Sequence, residues 1–345
     1  DMTKPPAPTV TAVTGQPAVY LENQIAGGIG QSGKFTLDPS GAADVVAYKY
    51  SFNSDSLGTT VAVSSGHTHT ILHTPTGVGS QRLLVQSVDR AGNTSDVRTY
   101  RFSVNFVGAS STWSLDEGAG TTAADLVGTK PLSISPSTEW VNGVTAEFGN
   151  NTADRALRFT DGLDSAQTTG PVLDTSGSFS VTSLVKLEDA STVRVAVSQD
   201  GQRFGAFKLG HLPKEYCGGP NSCWGFWMSS DDSSGVPVFA TSTLPVKTNS
   251  WVYLTGVRDA GQGTISLYAC EVGTPSQVGN GEPVLTTTNY TPTVAWSAGG
   301  PLQLGRAMVD GRHSEGWVGV IDDVRAYKSV VTEASVRRDC QNAAG

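Results

Sequence analysis

Alternation of apolar and polar side chains with a period of two is the feature that most restricts the fold of this chain. In V-A-Y-K-Y-S-F (residues 46–52), Val and the aromatic rings fall on one side, and Ala, Lys and Ser on the other. Tyr100, Phe102 and Val104 repeat the pattern. One buried and one solvated face is typical of antiparallel strands in a β-sandwich. The sequence therefore predicts an all-β protein, with a single helix that starts at the N-cap Thr332 and continues through Glu333.

From Trp113 onward the predicted strands are longer, and some are apolar on both faces. In W-V-Y-L-T-G-V, Trp251 and Tyr253 fall on one side of a strand and Val252 and Leu254 on the other. This pattern predicts a central strand that is covered on both faces.

This change in strand length and apolar pattern, together with a length of 345 residues, predicts two domains. We place the first at residues 1–105 and the second at 106–345. The short S-V-D-R-A-G-N-T-S segment (residues 87–95) resembles the penultimate hairpin of bacterial immunoglobulin-like and fibronectin-type modules. About seven short strands in the first hundred residues agree with an immunoglobulin-like sandwich.

Charge excludes some functions. The net charge is −8, the isoelectric point is near 5.1, and the densest basic spot is Arg337-Arg338, so nucleic acid is a poor partner. No apolar run approaches 18 residues, so we expect no membrane insertion. The first ten residues do not read as a signal peptide, and we expect the chain to be a segment of a longer protein whose targeting sequence lies upstream.

The four cysteines indicate either disulfides or a metal site. Cys217 and Cys223 flank a Gly/Pro turn, whereas their spacing of five intervening residues is unusual for zinc ligands. Of the three possible connectivities, local closure favours Cys217–Cys223, which leaves Cys270–Cys340. Such bridges would place the protein in an oxidising compartment.

Several separated motifs resemble one family. They are W-S-L-D-E-G-A-G-T-T-A-A-D-L (residues 113–126), W-V-Y-L-T-G-V-R-D-A-G-Q-G-T-I-S-L-Y (251–268), G-P-L-Q-L-G-R-A (300–307) and G-V-I-D-D-V-R-A-Y (319–327). Together they resemble a laminin-G-like (concanavalin A-like) jelly roll, in the form carried by large secreted actinobacterial proteins. The resemblance implies two packed antiparallel sheets over residues 106–345, extracellular deployment, and use as a binding or adhesive module.

The resemblance also implies one structural Ca²⁺. In many relatives the ion joins the loop after the first strand to the last long strand, and the matching residues here are Asp125 and Asp322. Carboxylate and carbonyl oxygens are the ligands that Ca²⁺ prefers. However, the loop after Asp125 reads L-V-G-T-K, where relatives often read S-G-N-G. The alternative is that Asp125 caps a turn and Asp322 binds backbone amides.

Catalysis is not expected. Retaining glycosidases with this fold need two carboxylates about 5 Å apart. No E-x-D-x-x-E or E-x-D-x-E pattern occurs, and the neighbours Asp322 and Asp323 would face opposite sides of a strand.

Candidate ligand residues follow from aromatic and polar side chains outside the predicted core. Trp113, Trp251 and Trp317 alternate into the core, whereas Trp224 is expected to be exposed because Trp227 would face the other way. The complete predicted ligand set is Tyr216, Trp224, Arg306, Asp310, His313 and Glu315.

The leading hypothesis is a non-catalytic recognition or adhesion module for carbohydrate, or for another protein surface, within a larger secreted or surface protein. The alternative is a pair of structural spacer domains. A glycoside hydrolase is third.

Overall fold

The computed structural model describes residues 3–16, 18–105, 108–160, 164–292 and 294–343. The chain divides into two compact units, Asp1–Val107 and Gly108–Gly345. We predicted the domain boundary between residues 105 and 106. Residues 106–107 lie outside the described residues. Both units are built almost wholly from β-strands, so the all-β prediction is confirmed.

The first unit is a sandwich of two sheets. Its strands are β1 (Thr9–Ala12), β2 (Ile25–Ala26), β3 (Gly33–Asp38), β4 (Val45–Phe52), β5 (Thr59–Ala62), β6 (His69–His73), β7 (Gly79–Asp89) and β8 (Arg98–Val104). One sheet has the order β1-β3-β6 and the other β2-β8-β7-β4-β5. This order agrees with an immunoglobulin-like sandwich.

The core of the first unit follows the predicted alternation. Tyr48, Tyr100, Phe102 and Val104 are buried in one cluster. The start of β4 differs, because the register shifts there and Val45, rather than its neighbour in the predicted run, enters the core.

The second unit contains the longer strands. They are β9 (Ser111–Trp113), β10 (Thr122–Ala123), β11 (Leu132–Ile134), β12 (Glu139–Asn142), β13 (Arg155–Phe159), β14 (Ala166–Gln167), β15 (Phe179–Leu187), β16 (Arg194–Asp200), β17 (Gly205–Leu212), β18 (Cys223–Ser229), β19 (Pro237–Thr241), β20 (Trp251–Asp259), β21 (Thr264–Thr274), β22 (Gln277–Val278), β23 (Val284–Asn289), β24 (Leu302–Leu304), β25 (Ala307–Val309), β26 (Arg312–Ser314) and β27 (Gly319–Tyr327).

Two large sheets enclose the core of this unit, as a jelly roll requires. The eight-stranded sheet has the order β10-β11-β14-β24-β16-β17-β18-β19. The nine-stranded sheet has the order β12-β13-β27-β15-β20-β21-β22, with β9 and β23 pairing to it, and β25 and β26 form a separate hairpin. Val252 and Leu254 of β20 enter the core between the sheets, whereas Trp251 and Tyr253 belong to a second apolar cluster. The predicted two-sided burial of this strand is confirmed.

Helices are few and short. The predicted C-terminal helix is α2 (Glu333–Gln341), and the Thr332 side chain caps it by accepting a hydrogen bond from the backbone N–H of Ser335. The sequence did not predict α1 (Val144–Glu147) or the 3₁₀ helix Lys214–Tyr216. Among the described helices, none has the length and apolar character needed to cross a membrane.

Both predicted disulfides are present. Cys217–Cys223 closes the turn between β17 and β18, with 5.8 Å between the Cα atoms. Cys270–Cys340 ties β21 to α2 across 70 residues of sequence, with 6.4 Å between the Cα atoms. Two such bridges point to an oxidising, extracellular setting.

Candidate functional site

The outer face of the eight-stranded sheet, which is the face away from the core, carries a small cavity. On β17, Phe207 and Leu209 enter the core, so Lys208 between them points outward. Trp227 of β18 and Phe239 of β19 pack together outside that core. With Tyr216 and Glu315 these outward-facing residues line a space of about 150 Å³, here called the aromatic cavity.

Three rings form one side of the aromatic cavity. The ring centroids of Tyr216 and Phe239 are 5.5 Å apart, and those of Trp227 and Phe239 are 6.0 Å apart. Tyr216 is 45% exposed, whereas Trp227 is buried. Tyr216 ends the 3₁₀ helix directly before Cys217, so the Cys217–Cys223 bridge fixes the segment that carries the exposed ring.

An ion pair lines the same cavity. The Nζ atom of Lys208 donates to Oε2 of Glu315 at 2.7 Å. The Lys208 side chain is 8% exposed and the Glu315 side chain 24%. An ammonium group at this depth needs a charged partner to offset its lost hydration, and Glu315 supplies it.

Glu315 belongs to the predicted polar rim, which the structure places at the β25–β26 hairpin. The Nε2 atom of His313 lies 2.8 Å from Oδ2 of the buried Asp200. Asp310 forms an ion pair with Arg203. The hairpin is thus held by ion pairs to β17 and to the turn that joins β16 and β17, and by the His313–Asp200 contact to β16.

Arg306, the fourth predicted rim residue, lies beside this group. It donates to the side-chain oxygens of Gln303 and Gln167, each at 3.1 Å. Burial lowers the pKa of Arg306 from its usual value. Of the four rim residues, only Glu315 is among those that line the aromatic cavity.

The exposure predicted for Trp224 is wrong. Its side chain is completely buried in the core, and Trp227 on the opposite face of β18 is also buried. The prediction assumed that β18 is half exposed, but Phe239 and the segment closed by Cys217–Cys223 cover its outer face. Tyr216 is the exposed ring of the predicted pair.

A second cavity, of about 460 Å³, borders the nine-stranded sheet and is here called the acidic cavity. Arg325 and Tyr253 contribute to its lining. Its carboxylates come from the segment after β9, from the residue before β13, from β27 and from α2: Asp116, Asp154, Asp322, Asp323 and Asp339.

Asp322, which the sequence analysis named as a possible metal ligand, is the most deeply buried of these five carboxylates. Its Oδ2 accepts a hydrogen bond from the Val144 backbone at 3.1 Å, and its Oδ1 accepts one from the Asp323 backbone at 2.7 Å. Burial, followed by the negative charge of Asp154, raises the pKa of Asp322 well above its usual value. A buried carboxyl group with this environment favours a proton or a cation.

Asp322 and Asp323 line the same cavity, so the prediction that they face opposite sides is wrong. Asp323 has a left-handed backbone (φ 42°), and the pairing of β27 with β15 shifts register between Thr182 and Leu184. This irregularity breaks the strict alternation on which the prediction rested. Burial raises the pKa of Asp323 as well, although Arg325 contacts its carboxylate at 2.6 Å.

Asp125 does not fit a calcium site. Its Oδ1 accepts backbone hydrogen bonds from Thr112, Val127 and Gly128, and its Oδ2 accepts one from Lys130, at 2.8 to 3.3 Å. Four N–H donors around one carboxylate act as positive charge that would repel a cation. Asp125 is therefore the cap of its loop, the alternative that the sequence left open, and it is not among the residues lining the acidic cavity.

Asp322 fits a hard cation better, because the surrounding groups offer carboxylate oxygens and only two backbone donors contact it. Asp154 is already held by Thr145, whose N–H and Oγ1 donate to its Oδ2 at 2.7 and 2.6 Å. Within the described ranges, no three His, Cys, Asp or Glu side chains stand in a metal-holding group.

The sequence reasoning missed Lys208 and Phe239. The signal for Lys208 was available, because it is the one charged residue in the otherwise apolar strand G-A-F-K-L-G-H-L (residues 205–212). A lysine there must either be paired or face a polar space. Phe239 carried no comparable signal, since its role depends on pairing between β18 and β19.

Comparison with protein families identifies the second unit. The profile described as the concanavalin A-like lectin/glucanases superfamily (Laminin_G_3) matches residues 160–337, which is more than half of the chain. The chain belongs to this superfamily. Among curated proteins, no sequence matches the chain.

Distant similarity to solved structures is also found. Domain 4 of AbnA, a GH43 extracellular arabinanase from Geobacillus stearothermophilus, in complex with arabinotriose, is 17% identical; the match covers 70% of this chain and 100% of that one, with a TM-score of 0.48. The SAP-like pentraxin of Limulus polyphemus is 18% identical over 47% of this chain and 69% of that one, with a TM-score of 0.36. The IT-sialidase CBM40 of Ruminococcus gnavus, bound to alpha2,3 sialyllactose, is 14% identical over 53% and 95%, with a TM-score of 0.37.

Proposed function

We propose that the jelly roll is a non-catalytic carbohydrate-recognition module of a secreted or surface protein, and that the aromatic cavity is its binding site. The observation that carries the proposal is the convergence of an exposed tyrosine ring, two further rings and a buried ion pair on one cavity. Rings complement the C–H faces of a sugar, and charged side chains form strong hydrogen bonds to its hydroxyls.

The distribution of carboxylates supports a non-catalytic role. Glycoside hydrolysis needs two carboxylates on either side of the scissile bond. Among the described residues that line the aromatic cavity, Glu315 is the only one with a carboxylate, and this carboxylate forms an ion pair with Lys208. The clustered aspartates border the other sheet, away from the three rings. The residues that could perform acid and base steps are thus separated from those that could hold a sugar.

The spacer alternative is less favoured by the same cavity. A domain that only separates its neighbours has no need of a formed pocket with an exposed ring, and it gains nothing from burying a lysine on its outer face. The two disulfides of the jelly roll suit an extracellular position for a recognition module and for a spacer alike.

A glycan array with the full chain, followed by titration calorimetry, tests the proposal. Tyr216→Ala is expected to weaken binding about tenfold, the loss typical of an important contact residue. Leu285→Ala on β23 is the matched control, because Leu285 is also 45% exposed and lies on the other sheet. Absence of binding to every glycan, or equal losses in both variants, would contradict the proposal.

We also propose that one structural Ca²⁺ is held at Asp322, with Asp154, whose negative charge acts on Asp322, as an additional carboxylate of the acidic cavity. Ca²⁺ should raise the thermal midpoint relative to EDTA, because it would offset the buried negative charge. The shift should vanish in Asp322→Asn and persist in Asp125→Asn. A shift that depends on Asp125 instead, or no shift, would refute this placement.

A further inference from the structure

The aromatic cavity also constrains which sugar it accepts. Resting on the proposed carbohydrate function, we infer that it takes one neutral sugar ring at the end of a glycan chain, with neighbouring hydroxyls bound between Lys208 and Glu315. Size, charge balance and hydrogen-bonding capacity each support this inference.

The size of the cavity suits a single sugar ring. The volume of the cavity is about 150 Å³. Pockets for drug-sized ligands are larger, roughly 300–1,000 Å³. A second ring would therefore extend outside the walls formed by Tyr216, Phe239 and the β25–β26 hairpin. The cavity suits a terminal residue rather than the middle of a polysaccharide chain.

The charges of the described residues that line the cavity are already balanced. The ammonium of Lys208 is neutralised by Glu315 at 2.7 Å, and Arg203 on the adjoining turn is paired with Asp310. Among the described residues that line the cavity, Lys208 is the cation and Glu315 neutralises it, so a sugar carboxylate entering there would find no uncompensated cation and would approach the Glu315 carboxylate. Like charges at short range disfavour such a ligand, so uronic and sialic acids should be rejected.

The ion pair retains hydrogen-bonding capacity for hydroxyls. An ammonium group has three donors, and the bond to Oε2 of Glu315 uses one of them. A hydroxyl group can accept from Lys208 and donate to the remaining Glu315 oxygen. Two hydroxyls on adjacent carbons can do so side by side, with charge assistance at both ends. A neutral vicinal diol therefore matches this pair.

The test uses the full chain and methyl glycosides of neutral hexoses, each compared with its uronate, which differs only in the oxidation state of C6. We expect at least one neutral glycoside to bind at least about tenfold more tightly than its uronate. Removal of one of the two bridging hydroxyls, in deoxy analogues, should cost a similar factor. Equal binding of the neutral and acidic forms would overturn the inference.

Substitutions in the ion pair separate this inference from the underlying function. Glu315→Gln leaves the Lys208 charge uncompensated, so the preference should move toward the uronate by about tenfold or more. Lys208→Met should abolish binding of both forms, whereas Lys247→Met, which breaks an exposed pair with Glu271 on the other sheet, should change neither. An unchanged preference in Glu315→Gln would refute the charge argument. Glycan binding that survives Lys208→Met but is weakened by Tyr216→Ala would overturn this inference alone, because the cavity would then bind sugar without the ion pair. Absence of all glycan binding, or binding that neither substitution changes, would overturn the proposed site as well.

Discussion

The jelly roll has two cavities that differ in charge: one carries a neutralised ion pair and the other an excess of carboxyl groups. In the aromatic cavity, Lys208 and Glu315 neutralise one another and the walls are rings. In the acidic cavity, five aspartates stand with Arg325, and burial raises the pKa of Asp322 and of Asp323. Both cavities lie outside the central core, one beside each sheet.

Under the proposed function, this difference would separate recognition from structural support within one fold. A balanced, ring-lined space can bind a neutral polar molecule without changing its own protonation. An excess of buried carboxylates lowers stability unless a proton or a cation compensates them. The proposed function therefore gives ligand binding to the aromatic cavity and stabilisation of the chain to the acidic cavity.

The largest expected effect comes from removing the Cys270–Cys340 bridge, which holds α2 and its Asp339 beside the acidic cavity. The double variant Cys270→Ser/Cys340→Ser should lose about 4 kcal/mol of unfolding free energy, because the bridge closes a long loop. Sugar affinity should be unchanged. All seven tryptophans lie in the second unit, so fluorescence in a denaturant titration follows that unit selectively. A loss of sugar affinity in the folded variant would show that the two cavities are coupled.

The Cys217–Cys223 bridge should show the reverse pattern. It closes a short loop, so Cys217→Ser/Cys223→Ser should cost only about 2 kcal/mol of unfolding free energy. The same change frees the segment that carries Tyr216, so sugar affinity should fall about tenfold by calorimetry. The Cys270 and Cys340 double variant is the matched control. Full affinity in the variant without the short bridge would mean that Tyr216 is positioned by its ring contacts alone.

The fold was largely predictable from sequence because side-chain alternation reports strand burial directly. The pattern of Trp251, Val252, Tyr253 and Leu254 specified a strand covered on both faces, and the structure contains it. The N-cap at Thr332 was equally local, since its hydrogen bond spans three residues.

The sites were less predictable, because they depend on what covers a strand and on irregularities within it. Trp224 faces the core between the sheets, and Trp227 on the outer face is buried as well because a neighbouring strand and a closed loop cover β18, which no local pattern reveals. Asp322 and Asp323 share a cavity because of a left-handed backbone at Asp323. Lys208 could have been found as a charge in an apolar strand, but its partner Glu315 lies 107 residues further along the chain.

The smallest expected effect is a change in the pH dependence of the free energy of unfolding, and it tests whether the acidic cavity carries an excess of negative charge. In the unfolded state the carboxyl group of Asp322 has a pKa of about 4. Because burial raises this pKa in the folded state, the folded protein holds a proton on Asp322 at pH values where the unfolded chain has lost it. The free energy of unfolding should therefore decrease as pH rises from that value through the raised pKa of Asp322. In EDTA, Asp322→Asn should remove this part of the slope and raise the thermal midpoint at neutral pH by a few degrees, because its carbonyl oxygen still accepts from Val144. Glu139→Gln, at a half-exposed side chain, is the control and should leave the slope unchanged. A midpoint that falls in Asp322→Asn at neutral pH would mean that the carboxylate is already compensated, and the contrast between the two cavities would no longer hold.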